Sequence, residues 1–163
     1  MNKYISCLLI LFVLFLANQA SWARSASELK ASRQLGNSLE AGKIALPQED
    51  IQIISQLTLD LRGLQGYYHS YAPDRKELVV FNNGLFETIP RLSKLGKPVA
   101  FRTKEEIEKE GIKNYFIFER FEILDGKVKV YFYYPIEGIR GYAIFQKDSK
   151  NEWVVIEEWT PEV

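Results

Sequence analysis

The chain has almost no cysteine or histidine and no excess of either charge. Of its 163 residues, one is cysteine, Cys7, and one is histidine, His69. A single histidine excludes metal sites that need two or more imidazoles, and a single cysteine excludes an internal disulfide. Lys and Arg number 21, and so do Asp and Glu. They are interspersed rather than gathered into a basic face, so nucleic acid is not expected as a partner. No Gly-x-Ser-x-Gly, phosphate-binding loop, dinucleotide fingerprint or calcium loop occurs, and no cofactor is expected. Ser27-Glu-Leu-Lys30 has the Ser-x-x-Lys spacing of acyl-transfer enzymes but none of the companion motifs, so chance accounts for it.

What is present begins with an export signal. Lys3 precedes an apolar run from Ile5 to Ala17, and Ser21-Trp22-Ala23 places small residues at the minus-three and minus-one positions. Cleavage is expected between Ala23 and Arg24. The run is shorter than the roughly 20 residues that span a bilayer, so no stable membrane anchor is expected after cleavage. Cys7 lies inside the run rather than at its end, which argues against a lipid-modified cysteine. Cleavage removes the only cysteine, and the remainder must be held by packing alone. A cysteine-free exported chain fits a bacterial envelope, either periplasmic or secreted.

Residues 24–46 read as a short, weakly held helix or lead-in, because Leu29, Leu35 and Leu39 bury little area. One domain, 47–163, follows. Pro47 suits a helix first turn, and Glu49 and Asp50 complement the helix dipole. Ile54, Leu57, Leu61, Leu64, Tyr68 and Tyr71 recur at spacings of three and four, which predicts one long helix stopped by Pro73. From 74 to 96 a capping pattern and a strand pattern compete. Thr103-Lys-Glu-Glu106 predicts a capped helix ended by Gly111, after a brief strand over 98–102. From Asn114 four strands rich in aromatic and β-branched residues follow, over 115–124, 128–134, 139–147 and 152–159. The expected fold class is α+β, with N-terminal helices packed on a curved antiparallel meander of about four strands.

Asp125-Gly126 is a two-residue turn signal that sets the register around it. Ile123 then faces Val128, Phe121 faces Val130, Glu119 faces Phe132 and Ile117 faces Tyr134. On the other face Glu122 meets Lys129, Arg120 meets Tyr131 and Phe118 meets Tyr133. Glu119 thus falls on the apolar face, where a buried carboxylate needs a partner or a cavity. A wet position at the sheet's curve, or a structural bond to a tyrosine hydroxyl, are the plainer alternatives, and a one-residue slip would move Glu119 to the outer face. In the last hairpin a loop over 148–151 would set Lys147 opposite Glu152, Gln146 opposite Trp153 and Arg140 opposite Trp159. Glu157 and Glu158, adjacent on one strand, point to opposite faces.

His69 lies among tyrosines in Gly66-Tyr-Tyr-His-Ser-Tyr-Ala-Pro-Asp74. It is either a proton carrier near Asp74 at a pocket rim, with Tyr68 and Tyr71 beside it, or an exposed histidine next to packed tyrosines. A long helix ending in aromatics, shorter helices and then an antiparallel meander resembles, over about 47–159, the nuclear-transport-factor-like and cystatin-like α+β plan. Such folds host pocket enzymes, small-ligand carriers and protein-binding modules alike. The expected function is a non-enzymatic exported domain that binds another envelope or secreted protein, as an inhibitor or immunity factor would, through Phe118, Arg120, Tyr131 and Tyr133. The alternative is a pocket-containing small-molecule binder or enzyme using Glu119 with His69 and Tyr68. A polar cavity between helix and meander would favour the alternative, and a filled interior would favour the binder.

Overall fold

The computed structural model describes residues 44–161. The expected leader, its cleavage point at Ala23 and Arg24, and the lead-in as far as residue 43 lie outside the described residues. Those described form an α+β fold. Helix α1 spans Gln48–Leu59 and helix α2 spans Arg62–Gln65, followed by 3-10 turns at Gly66–Tyr68 and Pro73–Arg75. Strand β1 is Val79–Phe81, and β2 (Ser93–Lys94) and β3 (Lys97–Pro98) form a minimal hairpin. Strand β4 is Ala100–Arg102, and helix α3 is Lys104–Glu110. Strands β5 (Tyr115–Leu124), β6 (Lys127–Tyr134), β7 (Ile139–Lys147) and β8 (Trp153–Trp159) complete the order. No helix among the described residues is long and apolar enough to cross a membrane.

The expected single helix is broken after Leu59. Asp60 closes α1, and Leu61 turns to extended backbone (φ −49°, ψ 133°) before α2 begins. The cause is tertiary. The Leu59 carbonyl accepts hydrogen bonds from Lys94 Nζ at 2.9 Å and from Tyr68 Oη at 2.9 Å. A carbonyl near a helix end needs some partner, and here two distant side chains provide it. Lys94 Nζ also donates to Asp60 Oδ1 and Gln65 Oε1, each at 2.8 Å, and lies 4.5 Å from the Tyr68 ring centre. The break re-aims the stripe. Ile54, Leu61, Leu64 and Tyr68 stay buried, whereas Tyr71 is 82% exposed.

The main sheet has six strands in the order β4-β1-β5-β6-β7-β8, in place of the four expected. Strand β1 pairs in parallel with both β4 and β5, and α3 lies in the connection that carries the chain from β4 past β1 to β5. Thr103 and Glu106 cap α3 reciprocally, and Gly111 ends it in the left-handed conformation. The ambiguous stretch after Pro73 resolves as a 3-10 turn and then strand β1. From β5 onward each strand pairs antiparallel with the next. Asp125 and Gly126, both at positive φ, form the tight turn between β5 and β6.

Two bulges revise the expected registers. Near the turn the pairs run as predicted, Ile123 with Val128 and Arg120 with Tyr131, but Phe118 then faces Phe132 and Ile117 faces Tyr133. Glu119 is the extra residue. Phe116, Phe118 and Phe121 are spaced two and then three apart, so an unbroken strand cannot turn all three rings inward. With the bulge, Phe86 meets Phe118 at 5.4 Å and Phe121 at 5.9 Å between ring centres, and Asn83 Nδ2 donates to the Phe118 carbonyl at 2.9 Å. In the last hairpin Lys147 faces Trp153, Gln146 faces Val154 and Tyr142 faces Trp159. Five residues, 148–152, separate the paired Lys147 and Trp153 where four were expected: the Asp148 amide donates to the Glu152 carbonyl, and Asn151 takes a positive φ. A second bulge adds Ile156.

The space between the first helices and the sheet is filled. Ile54, Leu59 and Leu64 are fully buried with Phe116, Phe132, Tyr134 and Phe145 in one apolar cluster. Phe116 stacks on Phe132 at 5.5 Å and meets Phe118 edge-on at 5.1 Å. Phe132 lies over Gly141, where a Cβ would press on the Phe132 ring and on the Trp159 carbonyl.

Candidate functional site

Alternation along β5–β8 separates a buried inner face from an outer one. On β6, Val128, Val130, Phe132 and Tyr134 are buried, whereas Lys129, Tyr131 and Tyr133 are half-buried and face outward. Pairing aligns these outer residues into rows that cross the sheet. Arg120, Tyr131, Tyr142 and Trp159 occupy facing positions on four successive strands. A flanking row carries Glu122, Lys129, Ile144 and Glu157. Tyr133 and Arg140 face each other on the opposite side of the aromatic row.

Cations and rings interleave on this face. The Arg120 guanidinium sits 3.9 Å from the Tyr131 ring centre and 3.2 Å from Glu122 Oε1. Lys129 Nζ lies 3.7 Å from the Tyr142 ring and 4.9 Å from Tyr131. Tyr142 stacks on Trp159 at 5.8 Å and 30°. Tyr131 Oη donates to Glu122 Oε2 at 3.1 Å, and Tyr142 Oη donates to Glu157 Oε1 at 2.7 Å. That bond to Glu157 holds the Tyr142 hydroxyl proton and raises its pKa. Each exposed pair contributes little to stability, but together they restrict the rotamers of long side chains. Trp159, at the sheet edge, is 54% exposed.

Glu119, expected on the apolar face, is placed elsewhere by the bulge. Its carboxylate meets Arg140 Nη2 at 2.9 Å, and Arg140 also lies 4.9 Å from the Tyr133 ring. The requirement for a buried partner or a cavity therefore disappears. Phe118 moves the opposite way, from the expected outer face into the core, where it is 1% exposed. Tyr68 is also core, and burial, with nearby Tyr134 and Asp60, raises its pKa well above the usual value. Arg120, Tyr131 and Tyr133 are the expected contact residues that share the outer face. Tyr142, Trp159, Lys129 and Arg140 join them: Trp159 was expected opposite Arg140, and Tyr142 enters through the β6–β7 pairing, for which no register was expected.

His69 belongs to a separate cluster. It adopts the left-handed conformation (φ 43°) at the end of the 3-10 turn. Nδ1 lies 2.9 Å from Tyr71 Oη, and Nε2 lies 3.4 Å from Glu137 Oε2 rather than near Asp74. Arg75 Nη1 grips the other Glu137 oxygen. Behind them Tyr134 Oη donates to Asn114 Oδ1 at 2.5 Å, and burial pushes its pKa up to about 12 against the pull of Arg75. Glu137 and Arg75 are mostly enclosed, so the cluster anchors the loop after β6 to the turn before β1.

Two shallow clefts lie off the outer face, the first bordering the His69 cluster at Asn114. One of about 520 Å³ is lined in part by Asp74, Glu77, Arg102, Glu110 and Asn114, and one of about 740 Å³ by Ile89, Pro90, Val99 and Phe101. Among the described residues no group of three or more His, Cys, Asp or Glu is arranged to hold a metal ion. The chain matches no protein-family model, and no curated protein or solved structure matches it.

Proposed function

We propose that this chain is an exported, non-enzymatic envelope domain that binds another protein through the outer face of β5–β8. One observation carries the reading: the described side chains between α1 and the sheet form one buried apolar cluster, while the outer face holds the Arg120–Tyr131–Tyr142–Trp159 row. Tyrosine, tryptophan and arginine are enriched among the residues that dominate the energetics of protein interfaces, the two aromatics because they offer a large contact area at little conformational cost. Here the cation–ring contacts already order those side chains, which lowers what binding must spend on rotamers. An inhibitor or immunity role suits such a face, as does the plan-level resemblance to nuclear-transport-factor-like and cystatin-like domains. The alternative, a pocket enzyme using Glu119 with His69, draws less support. Glu119 pairs outward with Arg140, and His69 is engaged by Tyr71 and Glu137.

The test is capture from envelope extract by the wild-type chain and by a Tyr131→Ala/Tyr142→Ala double variant. The partner should be lost from the variant at unchanged secondary structure. Undiminished capture would remove the outer face from consideration. Amino-terminal sequencing of the exported protein should begin at Arg24.

A further inference from the structure

Strand β8 ends the sheet, and its edge differs from the edge at the other end. Strand β4 is three residues long and carries Arg102, which is how edges are usually kept from pairing with other chains. Strand β8 has seven residues, Trp153–Trp159, without lysine, arginine or proline. Val154, Val155, Ile156 and Trp159 are between 37% and 54% exposed. Its only charges are Glu157 and Glu158, with Glu152 just before it, and no basic residue occurs from Asn151 to Pro161. The edge is thus long, apolar and acidic.

We infer that β8 is a binding site for an extended segment of a partner protein that carries basic side chains on its solvent face and apolar ones on its inner face. An added strand is held by backbone hydrogen bonds, and its side chains alternate between the two faces of the sheet. On the outer face β8 presents Val154, Glu157 and Trp159, so lysines or arginines there meet Glu157. On the inner face it presents Trp153 and Val155, which favour apolar partners. Glu158, also on that side, is already bonded by the Gly63 amide at 3.1 Å. The Ile156 bulge and the two glutamates guard the edge against most strands but not against a cationic one. A second copy of this chain is disfavoured on the same ground. Antiparallel pairing about Ile156 would set Glu157 and Glu158 opposite Val155 and Val154 of the other copy, so the seam would gather four carboxylates near its two ends with no cation on either strand. The inference concerns the edge and stands without the outer-face reading.

The probe is a capped seven-residue peptide alternating lysine and valine, matched to the length of β8. Calorimetry should show saturable binding below about 1 mM that weakens as salt is added. The same peptide with glutamate for lysine should bind at least about tenfold more weakly, a difference of roughly 1.4 kcal/mol. Methylating one alternate set of the peptide's amide nitrogens should abolish binding, and methylating the other set should not, because a strand pairs through one edge only. Amide exchange in the protein should slow over residues 153–159. Ile156→Lys, at an exposed position, should repel the lysine peptide while leaving the melting temperature within a few degrees. Equal binding of the two peptides, indifference to both methylation sets, or no binding at about 1 mM would overturn the site. A dimer in solution that Ile156→Lys converts to monomer would give the edge to a second copy and overturn the occupant inferred here. Because both the peptide and the variant leave Tyr131 and Tyr142 in place, failure here would not touch the outer-face proposal.

Discussion

The inner and outer faces of the sheet use similar aromatic residues for different ends. Inside, Phe116, Phe118, Phe132 and Phe145 pack against aliphatic side chains and against one another and further rings, Phe86 and Tyr134 among them. Outside, Tyr131 and Tyr142 each have a cation over the ring and a carboxylate on the hydroxyl. The inner rings exclude water and carry the fold. The outer rings are held in place but remain partly wet, so their truncation should cost the fold little and a partner much. Under the proposed binding role, the same residue class separates into stability and recognition according to what its neighbours leave exposed.

The largest expected effect lies on the inner face. Phe132→Ala removes a fully buried ring stacked on Phe116 and lying over Gly141, and should lower the unfolding free energy by about 3–5 kcal/mol in a denaturant titration. Lys94→Ala comes next, because it strips the Leu59 carbonyl, Asp60 and Gln65 of a shared donor at the break between α1 and α2. A loss of about 2 kcal/mol is expected, with Lys94→Met milder since its stem still packs against Tyr68. If Lys94→Ala were neutral, the helix break would need another cause.

Alkaline pH probes the boundary between the faces, where polar groups enter the core. Tyr134 has its pKa raised to about 12 by burial, from an ordinary 10.0, and that of Tyr68 is raised as well. The folded chain therefore holds these protons more tightly than the unfolded one. Their stabilising contribution is whole below pH 10 and is lost as pH rises toward 12. Urea midpoints should fall across that window, and Tyr134→Phe should flatten part of the fall despite losing the bond to Asn114. The smallest stability effect belongs to the outer face. Tyr131→Ala should cost about 1 kcal/mol or less, since its cation–ring and hydroxyl contacts are partly solvated. A cost near that of Phe132→Ala would erase the distinction between the faces.

Much of the scaffold was legible from local chemistry. The Thr103–Glu106 capping box, the Gly111 stop and the Asp125-Gly126 turn each act within a few residues, and each forms as expected. What failed depended on partners distant in sequence. The helix stripe continued through Leu61 on paper, but Lys94, 35 residues beyond Leu59, ends the helix there. The bulge at Glu119 exchanged the fates of two candidate residues, sending Glu119 outward and Phe118 inward. Its signal was present in the uneven spacing of Phe116, Phe118 and Phe121, which a strict period of two cannot satisfy. The aromatic row was half visible in Arg120 and Tyr131. Its other half waited on the last hairpin, where the longer loop moves Trp159 from Arg140 to Gly141 and the Ile156 bulge moves it on to Tyr142.

The central claim is that the outer row serves recognition while the inner cluster serves the fold. Its most direct test is a paired measurement on Tyr131→Ala/Tyr142→Ala, with unfolding free energy and capture of the envelope partner read on the same preparation. The account predicts a loss of stability no greater than about 2 kcal/mol together with loss of the partner at least about tenfold below wild type. Retained capture, or unfolding of the domain by these two substitutions, would contradict it.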